Sequence, residues 1–232
     1  MSKTALIFGA GSGISASFAR LLKRDGYRIA LAARRTDKLA ALAAETGAAV
    51  LAADSTKPDQ VAAAFATLDR SFGHLDVVLY NASQRVRGPT AELDPAAVKE
   101  AIDVTAFGGF LVAQQAAKRM LPRGSGTIMF TGASASVKGS PQSATFAMGK
   151  FALRGLAQSM AREMHPQGVH IAHFVIDGGV RNAVRGRTEG DGDTADSLLD
   201  PDAIAETYMH ALNQPRSAWS WEIEVRPWVE RF

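Results

Sequence analysis

The chain has no cysteine in its 232 residues, which excludes a disulfide framework, thiolate catalysis and cysteine-based zinc sites together. No segment approaches the about 18 consecutive apolar residues that a membrane-spanning helix needs. The opening MSKTALIFGAG lacks the apolar length and the cleavage site of a signal peptide. Charge of neither sign is gathered into a run: the net +3 is spread along the chain and offers no footing for a nucleic-acid partner. Gly 21 and Pro 9 are ordinary values, which argues against disordered and repetitive classes. What is present, 47% hydrophobic and 21% charged residues, suits a single globular domain over 1–232 with a substantial core. A cytoplasmic enzyme or binding protein is the expectation.

Along the chain, short apolar runs alternate with stretches of helical spacing. TALIFGA ends in glycines, and ISASFARLLKRDG after it repeats apolar side chains at Ile14, Phe18, Leu21 and Leu22. RIALAAR follows, then TDKLAALAAETG, whose Gly47 suits a helix C-terminus. AAVLAAD, DVVLYNA, GTIMFTGA and GVHIAHFVID continue the series, separated by KPDQVAAAFATLDRSFG, by DPAAVKEAIDVTAFGGFLVAQQAAKRML and by an Ala-rich run that begins TFAMGK. Strands apolar on both faces and joined by helices predict an α/β domain, a doubly wound parallel sheet of Rossmann type covered by helices on each side.

In such a sheet the ligand lies beyond the carboxyl ends of the strands, where strand order reverses. After the first run stand Gly9, Gly11 and Gly13 in FGAGSGIS. The G-x-G-x-x-G fingerprint would need glycine at Ile14 and fails there, leaving G-x-x-x-G-x-S, either a phosphate-binding turn before a helix N-terminus or a tight turn without a ligand. The second run ends in Arg34 and Arg35, where a basic pair accommodates a 2′-phosphate and so favours NADP. Asp54 and Asn81 close the third and fourth runs, as an adenine acceptor and a bridge between strand ends or as ordinary caps.

The order of these motifs resembles the short-chain dehydrogenase/reductase family: Gly9-x-x-x-Gly13-x-Ser15, the basic pair, Asp54, YNAS near Asn81 and Ala82, and TFAMGK at the place of Y-x-x-x-K. The resemblance runs through nearly the whole chain, to a last helix and strand in LDPDAIAETYMHALNQPRSAWSWEIEVRP. It implies an NADP(H) site, preferred over NAD(H), built from Gly9, Gly11, Ser12, Gly13, Ile14, Arg34, Arg35, Asp54, Asn81, Ala82, Lys150 and Gly178. It also implies a catalytic set of Asn, Ser, Tyr and Lys, and here the chain departs from the pattern. Thr105 falls at the Asn, Ala133 at the Ser with Ser134 one residue further on, and Phe146 at the Tyr; Lys150 alone is kept. The family's Pro-Gly after the next strand is Asp177-Gly178.

Phenylalanine keeps the ring and removes the atom that exchanges a proton, a loss of about 10²–10⁴ in rate where general acid–base catalysis operates. Three readings follow. The first is a divergent oxidoreductase acting on a small carbonyl, alcohol or enoyl compound, its proton handled by water or by Ser134, Ser136, Thr145 or Asp177. The second is a binding protein that keeps the cofactor site without the reaction, and the third a scaffold without cofactor. His165, His170 and His173 do not suit a metal site, since His170 and His173 fall on opposite faces of a strand. The polar stretch over 181–200 is expected to be a mobile segment over the substrate, and its Arg181, Arg185 and Arg187 suit an anionic group. The resemblance further implies a homodimer or homotetramer, for which the aromatic end, Trp219, Trp221, Trp228 and Phe232, offers a contact surface or else a folded-back tail.

Overall fold

The computed structural model describes residues 2–190 and 194–230. Seven strands, β1 (Thr4–Phe8), β2 (Arg28–Ala33), β3 (Ala49–Ala52), β4 (Val77–Tyr80), β5 (Gly126–Thr131), β6 (Val169–Ile176) and β7 (Glu222–Val225), form one sheet in the order β3-β2-β1-β4-β5-β6-β7. Every pairing is parallel. The apolar runs of the sequence are these strands, and their continuous hydrophobicity has a simple cause. Alternate residues of each strand point to opposite faces, and both faces are covered. Leu6, Phe8, Val78, Tyr80, Ile128 and Phe130 enter one core, while Ala5, Ile7, Val77, Leu79 and Met129 enter the other.

The first core is closed by α3 (Pro58–Phe72), α5 (Gly108–Met120) and α6 (Ala144–Met164), the second by α1 (Ile14–Arg24), α2 (Ala40–Thr46) and α7 (Pro201–Leu212). The helices begin and end where local chemistry predicts. Proline stands in the first turn of α3, α7 and the short α4 (Pro95–Ile102). Asp94 and Asp200 cap α4 and α7 by accepting from first-turn amides, and α2 stops at Gly47 in the left-handed region.

The stretch DPAAVKEAIDVTAFGGFLVAQQAAKRML departs from simple helical spacing. Between α4 and α5 the chain takes a wide π turn over Asp103–Phe107, an insertion common at functional sites. The turn is bound to β4, because the Tyr80 hydroxyl donates to the Val104 carbonyl and lies 3.2 Å from Ser55 Oγ. This approach needs glycine: a Cβ on Gly108 would stand 2.5 Å from the Tyr80 hydroxyl oxygen. Burial also pushes the Tyr80 phenol above its usual value, so it stays a neutral donor.

Strand order reverses at β1, whose neighbours are β2 and β4, and the crevice for a ligand therefore opens above the carboxyl ends of β1 and β4. Tyr80→Phe leaves a buried carbonyl without its donor and should lower stability by about 1–3 kcal/mol in urea denaturation. An unchanged midpoint would show that the π turn is held without this bond.

Candidate active site

At the carboxyl end of β1 the glycine turn is tied into its neighbours. The amides of Gly9 and Ala10 donate to the Ala32 carbonyl of β2, at 2.9 and 3.0 Å, and Asn81 at the end of β4 donates to Ser15 Oγ at 2.7 Å. Asn81 thus ties the end of β4 to the first turn of α1. Gly9 adopts φ 81, and a Cβ on it would run into the backbone nitrogen of Ala82. Among the described residues the backbone amides of Gly11, Ser12 and Gly13 have no acceptor, and a Cβ on Gly11 would meet nothing within 4 Å. Free amides at the N-terminus of α1 led by Ile14, with open space at Gly11 and the Asn182 side chain against Gly13, suit an anionic phosphate. Arg34 and Arg35 are exposed immediately beyond β2, beside this turn. Asp54 turns one carboxylate oxygen onto Thr56, at 2.9 Å from both its amide and its hydroxyl, so it forms a turn at the end of β3.

Above β5 the arrangement changes character. Phe146, on the first turn of α6, packs with Ala133 and Ala135 in a small apolar cluster. Lys150, one turn further on, is 3% exposed, and its Nζ donates to the Thr131 carbonyl at 2.6 Å. The Lys150 ammonium stands 5.7 Å from the Phe146 ring centre, and the Arg85 guanidinium covers the ring at 3.7 Å. Burial, and then the charge of Arg85, bring the Lys150 amine down to about 7. The cleft therefore holds an amine that shares its proton near neutrality, beside a ring with no proton to share.

The hydroxyls nearest this point are already engaged. Thr105, in the π turn, accepts from the Gln84 amide at 3.2 Å, and Thr145 exchanges two bonds with the Val86 backbone. Asp177, at the end of β6, meets Lys138 and Arg226, each at 3.3 Å. Burial alone would raise the Asp177 carboxyl, but these bonds and charges hold it below the usual range. Gly178, next along, packs against Pro227.

A chain that sequence reasoning missed runs beneath: Ser136 Oγ lies 3.3 Å from His173 Nε2, His173 Nδ1 lies 3.0 Å from Glu222, and Glu222 takes a two-pronged bond from Arg154 at 2.6 and 2.7 Å. Burial holds His173 down at about 4. Being neutral, its Nδ1–H donates to Glu222 and its Nε2 accepts from Ser136. The order is that of a nucleophilic triad, yet Ser136 is 0% exposed and accepts the Ala133 amide at 3.1 Å. No substrate reaches it, and the chain braces the turn that carries Ala133 and Ser134. Its sequence signal was faint, since His173 and Glu222 stand on different strands.

The segment over 181–200 is tied at both ends, by a bridge from Val180 to Leu199 and by an Arg181–Asp200 ion pair at 2.5 Å; residues 191–193 lie outside the described residues. Asn182 donates from Nδ2 to the Ser12 carbonyl at 3.1 Å, so the segment crosses the glycine turn. Arg181 is thereby taken by Asp200, whereas Arg185 and Arg187 stay exposed. At the far end of the sheet, Trp219 stacks on His170 at 4.7 Å and Trp221 packs on the first core, so two of the aromatic residues of the tail fold back. Trp228 is exposed, and Phe232 lies outside the described residues. No helix among the described residues is long and apolar enough to cross a membrane.

Fold and glycine turn together define a Rossmann-type domain. Residues 3–189 match the short chain dehydrogenase family, and the chain belongs to it. It is 30% identical over 228 residues to an uncharacterised oxidoreductase of Staphylococcus aureus (strain N315), with 97% of each chain covered. A short-chain dehydrogenase from Rhodopseudomonas palustris has a similar structure at TM-score 0.83 and 32% identity, covering 97% of this chain and 99% of that one. An alcohol dehydrogenase from the archaeon Thermococcus sibiricus, complexed with 5-hydroxy-NADP, superposes at TM-score 0.86 with 28% identity, covering 99% and 98%.

The lowered Lys150 amine has a consequence for stability. Between about pH 7 and its ordinary value near 10.5 the unfolded chain holds a proton that the folded chain has released. Stability from this group therefore rises with pH across that window, and the burial penalty is complete below about pH 7. Urea denaturation of the cofactor-free protein at pH 6, 8 and 9.5 should show a shallower rise for Lys150→Met than for the parent. Equal slopes would mean that Lys150 keeps an ordinary affinity for its proton.

Proposed function

We propose that the chain is an NADP-dependent oxidoreductase that transfers hydride to or from a small carbonyl, alcohol or enoyl compound without a phenolic proton donor. The observation that carries this reading is the conjunction of a glycine turn with free amides, a buried lysine and an apolar Phe146–Ala133 contact. Gly9, Gly11, Ser12, Gly13 and Ile14 suit a pyrophosphate; Arg34 and Arg35 suit a 2′-phosphate, which an NADP-type ligand in the Thermococcus enzyme supports. Asp54, Asn81 and Ala82 border the adenine side, and Lys150 and Gly178 the nicotinamide side.

When bound, the cofactor supplies or accepts the hydride. The protein's own part is then positioning and proton handling. Lys150, fixed on Thr131, suits the nicotinamide ribose and can lend a proton near neutrality. The Phe146 ring keeps water from one side of the reacting carbon. Ser134, one residue beyond Ala133, is the hydroxyl proposed to take the part of the family's serine, while Thr105 is spent on Gln84.

The Phe146–Ala133 contact also favours a second reading, a cofactor-holding protein without turnover. NADPH consumption across aldehydes, ketones and enoyl thioesters separates the two. Turnover by the parent that Lys150→Met abolishes supports the enzyme; none in the parent, but reduction by Phe146→Tyr/Ala133→Ser, supports the binding protein. No turnover in either form contradicts the enzyme, and no binding of NADPH or NADH contradicts both.

The proposal extends to a homodimer or homotetramer. The π turn, α5 and α6 expose Phe107 at 44%, Phe110 at 41%, Met148 at 53% and Phe151 at 45%, an apolar patch that suits a second copy. Light scattering should give a multiple of the chain mass that falls to the monomer in Met148→Asp/Phe151→Asp. A parent that stays monomeric at every concentration ends the claim.

A further inference from the structure

We infer that the cleft takes a substrate bearing an anionic group, a carboxylate or phosphate, held by Arg85 with Arg87 and Arg187. The inference rests on the oxidoreductase reading above and names its substrate class. It starts from the segment after β4. The Gln84 amide is bound by Thr105, and the Val86 backbone is bound on both its amide and its carbonyl by Thr145, at 3.2 and 2.7 Å. Both threonines are fully buried. The clamp turns Val86 inward and leaves Arg85 and Arg87 exposed on either side of it.

Although Arg85 as a residue is exposed, its guanidinium end lies over the Phe146 ring at 3.7 Å. A stacked guanidinium keeps its edge donors available in a fixed plane, the geometry that binds carboxylate or phosphate two-pronged. The third arginine comes from the segment that crosses the glycine turn: the Arg187 backbone exchanges hydrogen bonds with Asn182, which is held on Ser12. Covering of the guanidinium, and then the charges of Arg87 and Arg187, push Arg85 below its ordinary value.

Among the described residues none of the three has a carboxylate partner; the ion pairs nearby join Arg181 to Asp200 and Lys138 to Asp177 instead. Like charges without a counter-charge among the described residues repel one another, and a bound anion removes that cost. Because Arg85 rests on the ring beside Lys150, the anion lies close to the carbon that exchanges hydride.

The test is calorimetric titration of the NADP⁺-loaded protein with matched pairs: 4-oxobutanoate and its methyl ester, 2-oxobutanoate and 2-butanone, dihydroxyacetone phosphate and dihydroxyacetone. In at least one pair the anion should bind about tenfold or more tightly than its neutral partner. That margin should shrink as sodium chloride is raised. Arg85→Ala/Arg187→Ala should abolish it and Arg85→Lys should keep part of it. A margin confined to the phosphate pair assigns a phosphoryl group, and one confined to the acid pairs a carboxylate. Equal affinity within every pair, or a margin that survives in the double alanine variant, overturns this inference while leaving the cofactor reading intact. Failure of the protein to take up NADP⁺ at all overturns both.

Discussion

A parallel sheet buried on both faces confines polar chemistry to its rim. Most interior positions of β1, β4, β5 and β6 are committed to one of the two cores. Charged and hydroxyl-bearing groups that must reach a ligand can therefore stand only where the strands end, and the reversal of strand order at β1 opens the crevice there. Gly9, Asn81, Thr131, Ala133 and Asp177 all occupy such ends. Among the deeply buried polar groups, Tyr80 and His173 are hydrogen-bonded and neutral, and serve to hold the rim in shape.

At that rim the chain combines two environments that oppose each other. Beside Phe146 the lysine is dry and sheds its proton readily, and an arginine lies on the same ring. An aromatic ring attracts both cations, so Phe146 offsets part of the repulsion between two positive groups. A phenol at this position would be drawn toward ionisation by the same neighbours. With phenylalanine the cationic surroundings remain and the proton route changes, which on the proposed reading shifts the burden of recognition toward the charge of the substrate.

Much of this was legible in the sequence, for reasons that can be named. Continuous apolar runs announced the strands because a sheet covered on both sides permits no alternation, and the glycine cluster with Arg34 and Arg35 stood where the crevice must be. The π turn was not legible, because it depends on the Tyr80 hydroxyl reaching Val104 from another strand; the adjacent Gly108 was its one local sign. Arg85 in QRVRG reads as an ordinary solvated loop residue until Thr105 and Thr145, distant in sequence, are seen to clamp the segment. Ser136, His173 and Glu222 escaped notice likewise, since pairing across strands brings them together. Arg181 ran the other way: grouped by sequence with Arg187, it is removed from the cleft by Asp200.

The most direct test of the account is the affinity of the cofactor-free protein for NADPH and NADH, followed by nicotinamide fluorescence, in the parent and in Arg34→Ala/Arg35→Ala. The account predicts micromolar binding with NADPH preferred by about tenfold or more, and a preference that disappears in the variant. Binding of neither nucleotide, or an equal affinity for both in the parent, would contradict it.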